Sequence, residues 1–353
     1  MNVEVIKASE LGQNDLRLWS ELAARHACFA SPYFMPQFTL LVSQARDDVY
    51  VGILRDSGRP IGYFPFQRRA RTGGPVGGPL SDFQGVIASP DTPWNAEELI
   101  KACGMSIWRF DHLIVAQKPF QPYHAMVAPS PGIDVSAGYH AYVEGRREAG
   151  TKLIKRMEQQ RRQLERREGP LRVELCTSSF AVLRQLMAWK SHQYRRTKVT
   201  DVFGFHWTRE LLEHILATDE PAFAGMLSAL YAGERLVAAH MGMRSRTVWH
   251  YWFPAYDTSF SHYSPGLILL LEMIKGAKEL GLSCIDLGKG DSWYKTQCMN
   301  KKIELAEGTV EAPSVAATIR RVRRRTEAWI RQSRFHALAR VPARVVRLVE
   351  NRN

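Results

Sequence analysis

The chain has 353 residues, of which 45% are hydrophobic and 24% charged, the composition of an ordinary soluble globular protein long enough for two cores. No apolar run approaches the ~20 residues of a membrane span, because LILLLEMI is broken by Glu272 and followed by Lys275. Of the net charge of +13, eleven arginines against Glu327 and Glu350 after residue 311 supply +9, so the remainder is nearly balanced and does not read as a nucleic-acid-binding face.

In chain order, residues 16–27 are patterned as a helix. VYVGILRD and IGYFPFQRR alternate as strands and are joined by SGRP, a hairpin. GGPVGGPLSDFQG is a glycine-rich loop. A helix over residues 94–103 leads to the strand FDHLIVAQ. TKLIKRMEQQRRQLERRE, residues 151–168, is a solvated connecting helix or a contact surface for an acidic ligand, its bases interleaved with Glu158, Glu165 and Glu168. LRVELC is a strand, and residues 180–195 and 208–216 are helices. FAGMLSALY and RLVAAHMGMR pair across Ala232-Gly233-Glu234, and TVWHYWFPAYD follows as a third strand. The helix after SHYSPG ends near Gly281, and LSCIDLG is the next strand, so a parallel crossover is expected. Two halves of similar grammar predict units at 1–145 and 146–311, with a basic amphipathic tail over 312–353.

SHYSPG has two readings. Ser264 suits an N-cap, Pro265 the first helical position, and a buried helix needs a start. Alternatively the free N–H groups of that helix form an anion site, with Gly266 admitting close approach to the backbone.

Four motifs carry a resemblance: YD at Tyr256-Asp257, SPG at Ser264-Pro265-Gly266, DLGKG from Asp286 to Gly290, and YK at Tyr294-Lys295. With them, residues 152–310 resemble the acetyltransferase domain of bacterial proteins named for cellulose biosynthesis (the CelD or BcsL type) within the GNAT superfamily. SPYFMPQF, IGYFPFQRR and LSDFQG extend the likeness into the first half, and Fem-type peptidoglycan aminoacyltransferases share the tandem plan. The resemblance implies an α/β (α+β) fold of tandem GNAT-like halves, mixed twisted sheets flanked by helices, and a helical basic tail.

It also implies acyl-coenzyme A, chiefly acetyl-coenzyme A, as co-substrate, with no metal. Pro254 cannot donate to a ladder, so neighbouring parallel strands are expected to part there. A pantetheine arm would enter beside Phe253, with the diphosphate over Ser264, Pro265, Gly266 and Leu267. Ser261 and His262 stand where the family has a basic or glutamine lead residue. Tyr294 is the expected acid for the leaving thiolate, or else a packed tyrosine. Lys295 holds a phosphate, orients the acceptor, or is simply exposed. His240 or Asp257 is the base; the alternatives are a satisfied core histidine and a turn-forming aspartate. Asp286 holds the turn at Gly288 or lines the substrate site. The resemblance sets Asp82 and Lys190 at family positions that would line an acceptor cleft between the halves; the alternative is a solvated face.

The expected function is N- or O-acyl transfer to a small-molecule or glycan acceptor, a sugar of envelope or extracellular polysaccharide. The alternatives are an aminoacyl-tRNA-dependent transferase and a non-catalytic scaffold. The N-terminus, MNVEVIKASELGQNDLRLW, lacks an export pattern, so a cytoplasmic location is expected. The tail would contact an anionic surface of the inner membrane or a partner protein, or is a disordered basic tail, and no specific nucleic acid is expected. Five scattered cysteines without a C-x-x-C pair argue against a disulfide framework or zinc. No G-x-S-x-G, H-E-x-x-H or P-loop motif is present.

Overall fold

Alternating apolar residues and tight turns organise most of the strands. The hairpin expected at SGRP closes through Ser57 and Gly58, both at positive φ (47° and 80°), the conformation whose twist matches paired strands. The computed structural model describes residues 2–312, so the arginine-rich tail, with the lipid or partner contact expected of it, lies outside the described residues. In the first half the strands are β1 (Asn2–Lys7), β2 (Val49–Asp56), β3 (Arg59–Arg69), β4 (Thr72–Gly74), β5 (Ile87–Ala88), β6 (Ile107–Ile114) and β7 (His124–Asp134). The second half adds β8 (Leu171–Glu174), β9 (Asp219–Glu220), β10 (Phe223–Ala232), β11 (Arg235–Arg244), β12 (Val248–Tyr256), β13 (Cys284–Asp286) and β14 (Lys301–Glu311). The helices are α1 (Gln13–Arg25), α2 (Pro36–Ala45), α3 (Ala96–Ala102), α4 (Tyr139–Glu148), α5 (Leu153–Glu168), α6 (Phe180–Thr197), α7 (His206–Ala217), α8 (Pro265–Gly276) and α9 (Trp293–Cys298).

The strands form one mixed sheet in the order β1-β2-β3-β4-β6-β14-β7-β13-β12-β11-β10-β8, with β5 on β3 and β9 on β10. β4 pairs with β6, and β12 with β13, in parallel. The halves interlock at the centre: β7 lies between β13 and β14, and β14 between β6 and β7. One core cluster draws on both halves, setting Trp19, Phe34 and Phe38 with Leu186, Leu211 and Phe253. A second belongs mainly to the second half and includes Met157, Leu230, Trp249, Leu270 and Ile285. Among the described residues, those up to Val310 form one compact unit.

The expected parallel crossover is present, with two changes of detail. α8 stops at Gly276, and the chain turns through Gly281 (φ 74°) before β13. The strands part sooner than Pro254. β13 pairs with β12 only from Val248↔Cys284 to His250↔Asp286, so among the described residues β12 has no strand partner on that side from Tyr251 onward. The cause is the shortness of β13: after Leu287 the chain bends away at Gly288 (φ 72°). Pro254 itself sits opposite His240 of β11.

A bulge accompanies the parting. Between the pairs Met243↔His250 and Met241↔Phe253, Tyr251 and Trp252 of β12 oppose Gly242 alone. One extra residue in a strand turns the following side chains to the other face. Trp249 and Tyr251 accordingly join one core cluster, while Phe253 and Ala255 join the other. Gly242 has no room for a side chain, since a Cβ there would lie 2.1 Å from the His250 carbonyl oxygen and 2.7 Å from His240 Cε1. Gly242→Ala is therefore expected to lower stability by about 1–3 kcal/mol, the usual cost of overpacking, read as a fall in the denaturation midpoint. An unchanged midpoint would mean that the bulge relaxes freely.

Candidate active site

The site starts at the last paired residues of β12 and β13. Register sets His250 beside Asp286, and the His250 ring is fully enclosed between two carboxylates. Its Nδ1 is 2.9 Å from Asp286 Oδ2 and its Nε2 is 3.0 Å from Asp82 Oδ2. Burial alone would drive the imidazole neutral, but hydrogen bonds and charge from Asp286 and Asp82 outweigh it and hold His250 protonated up to about 9. Burial also works against the Asp82 carboxylate, yet His250, with His112 and Lys295, keeps its pKa below the usual range. Asp286 is 3% exposed and further accepts bonds from Ser130 Oγ (3.2 Å) and the Gly288 N–H (3.1 Å). Asp82 is the partner that meets solvent, its side chain 22% exposed.

Asp82 comes from the first half on the loop LSDFQG, so the cluster is bipartite. Tyr33, donating to the Leu80 carbonyl at 2.9 Å, packs edge-on against the His250 ring with centroids 5.0 Å apart. His112 of β6 lies 3.7 Å from Asp82 Oδ1 and 3.0 Å from Asp111 Oδ1. From the second half, Lys295 on α9 donates to the carbonyls of Gly288 and Lys289, both at 3.1 Å, and so clamps the turn after β13. Burial lowers its pKa, against the pull of Asp82 and Asp286. Lys190 on α6 donates to the Pro254 carbonyl on β12 at 3.2 Å. Burial, helped by the charge of Lys295, brings its pKa down to about 8.

Asp82, Asp286 and Lys295 are thus gathered around His250, a residue passed over inside TVWHYWFPAYD, with Lys190 near enough to feel the charge of Lys295. Tyr294 stands one residue before Lys295, close enough to raise the pKa of Tyr251 at the bulge, and burial carries its own pKa to about 12. Phe253 packs in the shared core, 5.1 Å from the Phe203 ring. His240 is held apart from the cluster. It stacks on Tyr251 at 4.4 Å, and its Nε2 accepts the Trp252 N–H at the bulge. Burial, then the charge of His250, pushes its pKa well below the ordinary value. Asp257 is also elsewhere, its Oδ1 accepting from the Ser259 N–H and hydroxyl and its Oδ2 lying 3.7 Å from Arg235.

Ser264 precedes α8 but does not cap it. Its backbone is left-handed (φ 55°), and its hydroxyl accepts from Gln160 Nε2 of α5 at 3.1 Å. Leu267 and Ile268 both donate to the Ser264 carbonyl, Pro265 has no N–H, and the Gly266 N–H has no partner among the described residues. Leu267 is partly buried against the second core. Among the described residues no cluster of three or more His, Cys, Asp or Glu side chains is arranged to hold a metal ion, and all five cysteines are free.

Replacing His250 by Gln would leave two carboxylates without the cation between them, and removing one partner of a buried pair typically costs about 3–5 kcal/mol. Because the folded His250 pKa lies above its ordinary value, its stabilisation is complete below about pH 6.5 and is lost as pH rises toward about 9. Parent and His250→Gln unfolding midpoints should therefore converge over that window; a gap that stays constant would show that His250 is not charged.

No curated protein matches the chain. Solved structures do. The C-terminal domain (DUF2156) of a putative lysylphosphatidylglycerol synthetase from Agrobacterium fabrum is 12% identical, with a TM-score of 0.53 over 89% of this chain and 97% of that one. FemX is 8% identical, with a TM-score of 0.52 over 90% and 99%. A tandem GNAT protein from the clavulanic acid biosynthesis pathway is 9% identical, with a TM-score of 0.49 over 89% and 100%. The fold, a mixed α/β sheet flanked by helices, is that of the first two of these proteins. Residues 151–296, from just before α5 into α9, match the family described as acetyltransferase (GNAT) domain.

Proposed function

We propose that the protein transfers an acyl group from acyl-coenzyme A to a hydroxyl or amine, the acceptor being a sugar of a polysaccharide or its precursor. The observation that carries this reading is the parting of β12 from β13 after His250, beside a cluster of charged groups from both halves. A thin thioester arm fits between parted strands, where β12 has backbone groups with no strand to pair with. The open N-terminus of α8, with the Gly266 N–H free, suits the donor's diphosphate. The sugar acceptor is supported only by the motifs shared with polysaccharide-linked acetyltransferases.

In the transfer, the acceptor oxygen or nitrogen bonds to the acyl carbon and the carbon–sulfur bond breaks with its electron pair on sulfur. Asp82, ionised and partly exposed, accepts the acceptor's proton. Lys190 is the better proton donor to the thiolate: its pKa of about 8 lies near the ordinary value of a thiol, about 8.5. Tyr294, at about 12, is less well matched and is assigned to packing beside the thioester. Solvent then resets both groups.

Calorimetry should detect acetyl-coenzyme A binding, and Gly266→Val should weaken it by crowding the amides. Thiol release from acetyl-coenzyme A should decline as pH rises through about 8, the range in which Lys190 loses its proton, and Lys190→Ala should slow it about 100-fold. Absence of binding by the parent protein would overturn the reading. One observation favours aminoacyl-tRNA as donor in that event: Arg156, Arg162 and Arg166 line an exposed groove on α5 next to Gln160 and form no ion pair among the described residues. Glu158 and Glu165, by contrast, are occupied by Lys275 and Arg161. For the tail, we propose contact with anionic lipid; equal sedimentation with anionic vesicles by the full chain and by a version ending at Glu311 would reject it.

A further inference from the structure

The most glycine-rich stretch of the sequence, GGPVGGPL, takes no part in that chemistry. It runs from Gly73 to Leu80 and borders a cleft that is also lined by Arg69, Arg109 and Asp111 of the first half and Trp207 of α7. The loop is tied down from below. Asp48 is bound by Arg46 Nε (2.9 Å) and Gln67 Nε2 (2.6 Å), and Gln67 Oε1 accepts the Gly77 N–H at 2.8 Å. Arg46 lies 5.1 Å over the Trp207 ring, and Arg68 is spent on the Cys103 carbonyl and the face of Tyr50.

Arg69 and Arg109 remain. Both are exposed, and the side chain of neither forms an ion pair or hydrogen bond among the described residues. The cleft's own acids cannot neutralise them: Asp48 is held by Arg46, and Asp111 faces His112 Nδ1 at 3.0 Å and accepts from Gln84 Nε2 at 2.6 Å. Two guanidiniums thus face a cleft with no free counter-charge. Gly74 points the same way. Its φ is not in the left-handed region, and a Cβ there would meet no atom within 4 Å. Neither backbone strain nor packing calls for glycine at that position, and its missing side chain leaves room in the cleft. Asp111 links this wall to the acyl-transfer cluster, since His112 contacts Asp111 on one side and Asp82 on the other.

We infer that this cleft binds an oxyanion, a phosphate monoester or carboxylate carried by the acceptor, through the fork-shaped donors of Arg69 and Arg109. That the ligand is the acceptor rests on the acyl-transfer reading; the anion site itself does not. The test is calorimetry of the full chain with inorganic phosphate, glucose 6-phosphate, glucuronate and glucose at fixed salt. At least one anion should bind ten-fold or more tightly than glucose, and which one binds separates phosphate from carboxylate. The double variant Arg69→Ala, Arg109→Ala should lose at least ten-fold for that anion, as should Gly74→Leu, with acetyl-coenzyme A binding unchanged in both. Equal or undetectable binding of all four probes, or an unaltered double variant, overturns the inference. Anion binding by a parent protein that fails to bind acetyl-coenzyme A would retain the cleft and discard the acyl-coenzyme A reading.

Discussion

Three residues of parallel pairing, Val248–His250 against Cys284–Asp286, fix most of what surrounds the site. Because β13 is so short, its last residue and the last paired residue of β12 are also the residues at the mouth of the opening, and they are an aspartate and a histidine. A longer β13 would have continued the ladder and placed that pair inside a closed sheet. The bend at Gly288 ends β13, its N–H held by Asp286 and its carbonyl by Lys295. On the opposite edge of β12, the bulge facing Gly242 turns the strand without leaving the Trp252 N–H unsatisfied, because His240 accepts it. The two edges of β12 therefore differ: one is closed by a buried ring, the other is open.

Two histidines with little exposure to solvent, both next to this strand, end in opposite protonation states, and the difference can be traced to their neighbours. Each loses hydration, a penalty of several kcal/mol for a charged group. His250 recovers it from the hydrogen bonds and charge of two carboxylates about 3 Å away. His240 has an aromatic ring above it and the positive His250 nearby, so it stays neutral and serves as an acceptor. The same contest explains Lys190, where burial and a second lysine act together to lower its pKa.

Neither half owns the cluster. His250, Asp286, Lys190 and Lys295 come from the GNAT-matching stretch, whereas Asp82, Tyr33 and His112 come from the first half. The interleaving of β7 and β14 at the centre of the sheet, and a core cluster drawn from both halves, hold the loop carrying Asp82 against the end of β12. Asp82 can then present one oxygen to His250 while the carboxylate retains access to solvent. The glycine-rich loop precedes Asp82 directly, so the cleft it borders and the charged cluster share a short piece of chain.

Local chemistry determined the hairpins at Ser57-Gly58 and Gly233, the helices α6, α7 and α8, and the order strand, SPG, helix, strand, because turn residues and apolar period are written over a few neighbouring positions. Asp82, Lys190, Asp286 and Lys295 could be selected from motifs, although not the partners they would find. Other elements were not legible: β7 carries Pro129 and Pro131, which read against an interior strand, and β1 and β14 owe their places to distant partners. His250 was hidden for the same reason. Its meaning lies in the register that sets it opposite Asp286, thirty-six residues on, and in a loop 168 residues earlier that supplies Asp82. Register, the bulge and the length of β13 are agreements between segments far apart in the chain, and only the folded sheet decides them.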